Sequence, residues 1–217
     1  MKKLKIVKAA SVLFTLIPFA AAFYVMGKLP ERIPTHYDLN GIVDGYGSRY
    51  SILTLPVICL VISAIMVIVA RIYRHEKVER GKISNYEFVH IINLVTLVFF
   101  NVINSEIIYT SVKGVTDMSE MPFSFDKVLF VMIGILYIAI GILISKVTSY
   151  TNFGVESEFK NKKTPKRMGM VFVVTGILNI VINLFISKMI VSIAILLITS
   201  FISTIWVLVY AACDKKE

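Results

Sequence analysis

Six apolar runs, at about residues 9–26, 52–70, 88–112, 128–145, 169–186 and 190–212, constrain this chain more than any other feature. A hydrocarbon core about 30 Å thick is crossed by roughly 20 helical residues, and each run is near that length. Every backbone N–H and C=O inside lipid must be satisfied within the segment, which restricts such runs to helices. Little of the 217-residue chain is left for connections, so a single integral membrane domain over 1–217 is expected. The expected fold class is all-α, a polytopic membrane bundle of about six transmembrane helices. Composition agrees, since 57% hydrophobic and 17% charged residues is too apolar for a water-soluble domain of this length.

The basic excess is topological. Lys and Arg number four before the first run, five at 71–87, six at 146–168 and two at the C-terminus, giving 17 on one side. The alternate loops hold Lys28, Arg32 and Arg49, then Lys113 and Lys127, then Lys188, giving 6. The positive-inside rule therefore places both termini in the cytoplasm, with the turn at Ser187-Lys188 the least secure connection. Because these charges flank apolar runs, the lipid bilayer is the expected partner, and no direct nucleic-acid binding is expected. Lys2, Lys3, Lys5 and Lys8 before an apolar stretch and Ala20-Ala21-Ala22 have the outline of a signal peptide. The run exceeds a signal-peptide core in length, which favours a retained first helix. Cys59 and Cys213 stand alone, with no CxxC or Cys/His pairing.

Two inward loops differ in character. Arg71 to Glu87 mixes Arg71, Arg74, Lys77, Arg80 and Lys82 with Glu76, Glu79 and Glu87, the pattern of a solvated, charge-paired extension of the helices. Tyr150 to Met168 is basic and suits attraction to anionic lipid.

The outward segment from Leu29 to Arg49 is the most informative. Pro30 and Pro34 fix φ, and Gly41, Gly45 and Gly47 permit positive φ, so a shaped loop is expected rather than a tether. Ile33, Tyr37, Leu39, Val43 and Tyr46 are placed to lie against the outer mouth of the bundle. The candidate ligand-binding or loop-structuring residues are Pro30, Pro34, His36, Tyr37, Asn40, Gly41, Asp44, Tyr46 and Ser48, with Asn104 and Glu106 from the third run. A metal site at His36 would draw on Asp38, Asp44 and distant Glu106, too few at workable spacing. No metal, cofactor or catalytic residue is expected. His36 is expected to hold the loop by hydrogen bonds.

Within the runs, Asn93 and Asn104 share one helix face with Asn101 near its edge, while Glu106 points elsewhere and falls near the outer end, where it is placed to pair with Arg32 or His36 or to snorkel. Asn179 and Asn183, preceded by Gly176, form a small-and-polar stripe in the fifth run, and Gly134, Gly141 and Ser145 recur in the fourth. Helix packing explains these residues. A sharper expectation is a polar cleft among the third and fifth helices, opening outward beneath the loop.

Leu29-Pro30-Glu31-Arg32-Ile33-Pro34-Thr35-His36-Tyr37, followed by Asn40-Gly41-Ile42-Val43-Asp44-Gly45-Tyr46-Gly47-Ser48, resembles the N-terminal signature of SdpI-like bacterial membrane proteins, a domain of unknown function, over about residues 12–60. Residues 61–217 would then be the remaining helices. The resemblance implies six helices in a bacterial cell membrane and immunity against a secreted peptide toxin, in some members combined with a receptor role that holds a transcriptional repressor at the bilayer. The Arg-Thr-Pro-Trp element usual in the family's second half is absent, and Asn152-Phe153-Gly154-Val155 stands in that neighbourhood. Three classes stay open: a protein that binds or blocks a peptide toxin at the outer face, a signal receptor with a cytoplasmic regulator as partner, and a small transporter. An intramembrane enzyme ranks below them, since no paired carboxylates, HExxH or nucleophile elbow is present.

Overall fold

The computed structural model describes residues 2–73, 83–121, 125–147, 149–152, 155–158, 163–186 and 189–216. Its helices are α1 (Lys2–Met26), α2 (Thr54–Ile72), α3 (Asn85–Lys113), α4 (Phe125–Ile144), α5 (Thr164–Phe185) and α6 (Met189–Lys216). Between them lie strands β1 (Arg32–Tyr37) and β2 (Val43–Ser48), then β3 (Ser149–Asn152) and β4 (Val155–Glu158), with 3₁₀ turns at Arg49–Leu53 and Met118–Glu120. Among the described residues six stretches are long and apolar enough to cross a membrane: Lys3–Met26, Arg49–Ile72, Asn85–Lys113, Lys127–Ile144, Thr164–Phe185 and Ile190–Ala212. The expected all-α, multi-pass architecture is therefore present. The last two runs are separate helices, and their turn at Ser187-Lys188 lies outside the described residues. Two compact units arise, Met1–Met66 with Asn93–Leu129 and Val67–Ile92 with Phe130–Glu217.

In the first unit α1 carries Pro18 in its interior. Proline has no N–H, so the Phe14 carbonyl one turn earlier loses its helical donor. Asn101 of α3 supplies the replacement, its Nδ2 donating to Phe14 O at 2.8 Å and also to Leu97 O at 2.8 Å. Asn93 Nδ2 donates to Ser63 Oγ of α2 at 3.2 Å. The expected role of these amides as interhelical glue thus has specific partners at two positions. Ala22, Leu29, Ile33 and Ile52 form the buried core, with Ile107 and Ile108 packed against it.

The segment expected as a loop is an antiparallel hairpin. β1 pairs with β2 from Arg32↔Ser48 to Tyr37↔Val43, with irregular register around His36. β2 alternates half-buried and exposed residues along its length, the period of a strand with one face covered. Ile33 is buried and Tyr37 and Val43 are half-buried, as expected, whereas Leu39 and Tyr46 point to solvent, 58% and 48% exposed. Strand alternation places Tyr46 on the opposite face from Val43, and Leu39 is carried out on the turn.

In the second unit, Ser84 and Glu87 open α3 as a capping box. Ser84 Oγ accepts from Glu87 N at 3.0 Å, and Glu87 Oε2 accepts from Ser84 N at 3.4 Å. Glu87 therefore serves a helix end rather than the expected charge-paired extension, whose residues 74–82 lie outside the described residues. Gly141 and Gly169 bring α4 and α5 together, since a Cβ on Gly169 would stand 2.3 Å from Gly141 O. Gly134 and Gly176 repeat the contact two turns away. Tyr137 of α4 stacks on Phe172 of α5 with centroids 5.8 Å apart, and its hydroxyl donates to Ser200 Oγ of α6 at 2.6 Å. Asn179 joins α5 to α6 by donating to Thr199 Oγ1 at 3.0 Å. Small residues and amides thus do the packing here that apolar burial does in water. Within the expected basic loop, β3 and β4 pair antiparallel from Ser149↔Glu158 to Asn152↔Val155.

Candidate functional site

The hairpin is held at its turn and along one edge. At the turn, Asp38 Oδ1 accepts from the backbone N–H groups of Asn40 and Ile42, both at 2.9 Å, and Oδ2 accepts from Asn40 Nδ2 at 3.2 Å. These donors, the Ile42 N–H foremost, hold the Asp38 carboxyl below its usual range. Gly41 adopts φ 84°, a conformation costly for residues with a Cβ. Along the edge, Val43 N donates to Thr116 O at 2.9 Å, Met118 N to Gly41 O at 2.9 Å, and Tyr37 Oη to Val115 O at 2.9 Å. Residues 115–118, which follow α3, thereby fasten the hairpin to that helix. Asp117 caps the next turn by accepting from Ser119 N at 2.8 Å, and hydrogen bonding to Ser119 keeps its carboxyl low. Burial pushes the Tyr37 phenol up.

His36 Nδ1 pairs with Asp44 Oδ1 across the two strands. His36 thus makes a cross-strand hydrogen bond of the kind expected of it. Arg32 directs Nη2 at Tyr46 O, 3.4 Å away, and Ser48 caps the following 3₁₀ turn. Pro30 lies exposed before β1. These residues, with Asn40, Gly41, Asp44 and Tyr46, shape the hairpin.

Beneath it lies a cleft of about 490 Å³, walled by β1, the first 3₁₀ turn, α2 and α3. Its lining is chiefly aliphatic, from Ile33, Ile52, Leu55, Ile58, Ile103 and Ile107. Thr35, Tyr37, Ser51, Thr54 and Thr110 supply hydroxyls, Pro34 and Met118 complete the wall, and Glu106 supplies a carboxylate. Glu106 is 9% exposed, and its Oε2 is buried with no hydrogen-bond partner.

This arrangement corrects several expectations. Glu106 pairs with neither Arg32 nor His36, because the hairpin turns those side chains toward Tyr46 and Asp44. The Glu106 side chain lines the cleft beneath the hairpin and beside α2 and is 9% exposed. Asn104 is buried but absent from the cleft, on another face of α3 as its spacing from Glu106 requires. The cleft's far wall is α2, and Asn179 of the fifth helix donates within its own unit. Of the expected site residues only Pro34, Tyr37 and Glu106 line the cleft. Thr110, one turn beyond Glu106, and Ser51 and Thr54 at the start of the second run were available in the sequence as hydroxyls on matching faces. Among the described residues no group of three His, Cys, Asp or Glu converges as a metal site.

A second cavity, about 430 Å³ between α5 and α6, contrasts with the first. The Thr175 carbonyl and the Thr199 hydroxyl beside it already accept from Asn179.

The helices define a multi-pass membrane protein, and its first hairpin roofs an apolar cleft holding one carboxylate. Residues 13–60, from the middle of α1 into α2, match the family profile described as Domain of unknown function (DUF1648). This is the stretch in which the sequence signature was expected. Comparisons with curated proteins and with solved structures find no match.

Proposed function

We propose that this chain is a non-catalytic binding protein of the bacterial cell membrane that confers resistance to a secreted antimicrobial peptide by capturing it at the outer face. The observation that carries the reading is the cleft: its volume and mostly aliphatic lining suit the end of an amphipathic ligand, and its few polar groups suit orientation. The hairpin motif, which resembles that of SdpI-like immunity proteins, supports the same reading. Lys and Arg distribution supports an outward hairpin.

The test is survival of sensitive bacteria expressing the protein under challenge with a panel of secreted membrane-active peptides. Protection is expected against at least one peptide, and Thr110→Trp, which fills the cleft, is expected to abolish it at equal membrane abundance. Protection that survives the filled cleft, or none from the wild type against any peptide, contradicts the proposal.

A further inference from the structure

We infer that Glu106 receives a primary ammonium group, the N-terminus or a lysine of the captured peptide, whose apolar neighbours fill the rest of the cleft. The inference deepens the peptide-capture reading and rests on it. Three observations lead to it. The Glu106 Oε2 atom is buried and lacks a donor, and a carboxylate oxygen shut away from water calls for one. Among the described residues that line the cleft none is Lys, Arg or His, so the lining itself offers this carboxyl no positive partner. Three of the cleft's five hydroxyls direct their protons elsewhere: Thr110 Oγ1 donates to Ile107 O at 3.0 Å, Tyr37 Oη to Val115 O at 2.9 Å and Thr35 Oγ1 to Gly45 O at 3.4 Å. Their free lone pairs accept. An acceptor-rich, anionic spot suits the three donors of an ammonium better than an anion or a neutral hydroxyl.

Size separates this ligand from a bare cation. A space of about 490 Å³ is far larger than an ion requires, and much of its lining is aliphatic, a surface that the hydrocarbon attached to an ammonium covers and a bare cation does not. Glu106 lies seven residues from the end of α3 at Lys113, about 10 Å along the helix axis. An unblocked N-terminus entering under the hairpin spans such a depth with about three extended residues, and a lysine side chain covers roughly half of it with its methylenes against Ile103 and Ile107.

The experiment uses the purified full chain in phosphatidylcholine nanodiscs and a dodecylamine bearing a diazirine, with the matching dodecanol as control. After photolysis, adducts are mapped by mass spectrometry. The amine is expected to label the peptides containing Ile52–Ile58 and Ile103–Thr110 about tenfold more than the alcohol, the scale of a buried charge contact. Glu106→Gln is expected to remove the preference, and Glu106→Asp, which retains the carboxylate, to keep it. Equal labelling by amine and alcohol, or an undiminished preference in Glu106→Gln, overturns the assignment, and the comparison on wild-type protein needs no variant to fold. Loss of labelling when phosphatidylethanolamine replaces phosphatidylcholine makes an aminophospholipid the occupant and overturns the peptide. No toxin enters this experiment, so failure of the Glu106 assignment and failure of cellular protection are read separately.

Discussion

Pro18 and Asn101 show how single residues depend on one another inside a membrane. A proline in the interior of α1 releases the Phe14 carbonyl, and the amide of Asn101 satisfies it. Asn101→Leu is expected to destabilise the protein by about 1 kcal/mol, a typical value for an interhelical hydrogen bond in a bilayer. In a Pro18→Ala background, where the Phe14 carbonyl regains its helical donor, the loss should shrink, and a double-mutant cycle in mixed micelles reads the difference. Equal losses in both backgrounds would separate the two residues. The hairpin's carboxyl groups give a second prediction. Asp38 and Asp117 both have lowered pKa values, so the stability they contribute is present above the unfolded value of 3.8 and is lost as pH falls through the lowered folded values. Hydrogen exchange of residues 37–43 and 115–119 is therefore expected to show no loosening from pH 8 to 5 and to rise only in the acid range. Loosening between pH 6 and 8 would assign the hairpin's stability to other groups. His36 and Asp44, 71% and 49% exposed, form a surface pair, and His36→Ala should cost no more than about 1 kcal/mol in thermal unfolding.

At the scale of elements, the glycine contacts between α4 and α5 and the fastening of the hairpin to residues 115–118 carry the two units. Gly169→Ala places a Cβ where Gly141 O stands, and a loss of about 1–3 kcal/mol is expected from such overpacking, measured by unfolding in mixed micelles. A neutral result would mean that α4 and α5 separate freely. Run lengths and small residues make the helices and this seam legible in sequence, because lipid leaves the backbone few alternatives. The hairpin is less legible. Its prolines and glycines read as a loop, and its pairing depends on the distant segment 115–118, which local spacing does not reveal. The cleft is legible only in part for the same reason. Glu106 is conspicuous as an acid in an apolar run, but its neighbours Ser51, Thr54 and Thr110 are ordinary residues until the chain brings them together. Charge alone favours Arg32 and His36 as its partners, and strand geometry directs both elsewhere.

For the whole molecule, the six candidate spans among the described residues and the distribution of Lys and Arg are the grounds on which we propose that both termini face the cytoplasm and the first hairpin faces outward. Peptide capture at the outer face depends on that placement. Leu39, 58% exposed at the turn, offers a position for a single reporter cysteine, in a background where Cys213 is Ser and Cys59 stays buried. The decisive measurement is labelling of Leu39→Cys by a membrane-impermeant maleimide in intact cells. Labelling before lysis is expected, with a cysteine placed beside Lys216 labelled only afterwards. Labelling of Leu39→Cys only after lysis would turn the cleft toward the cytoplasm and contradict capture of a secreted peptide.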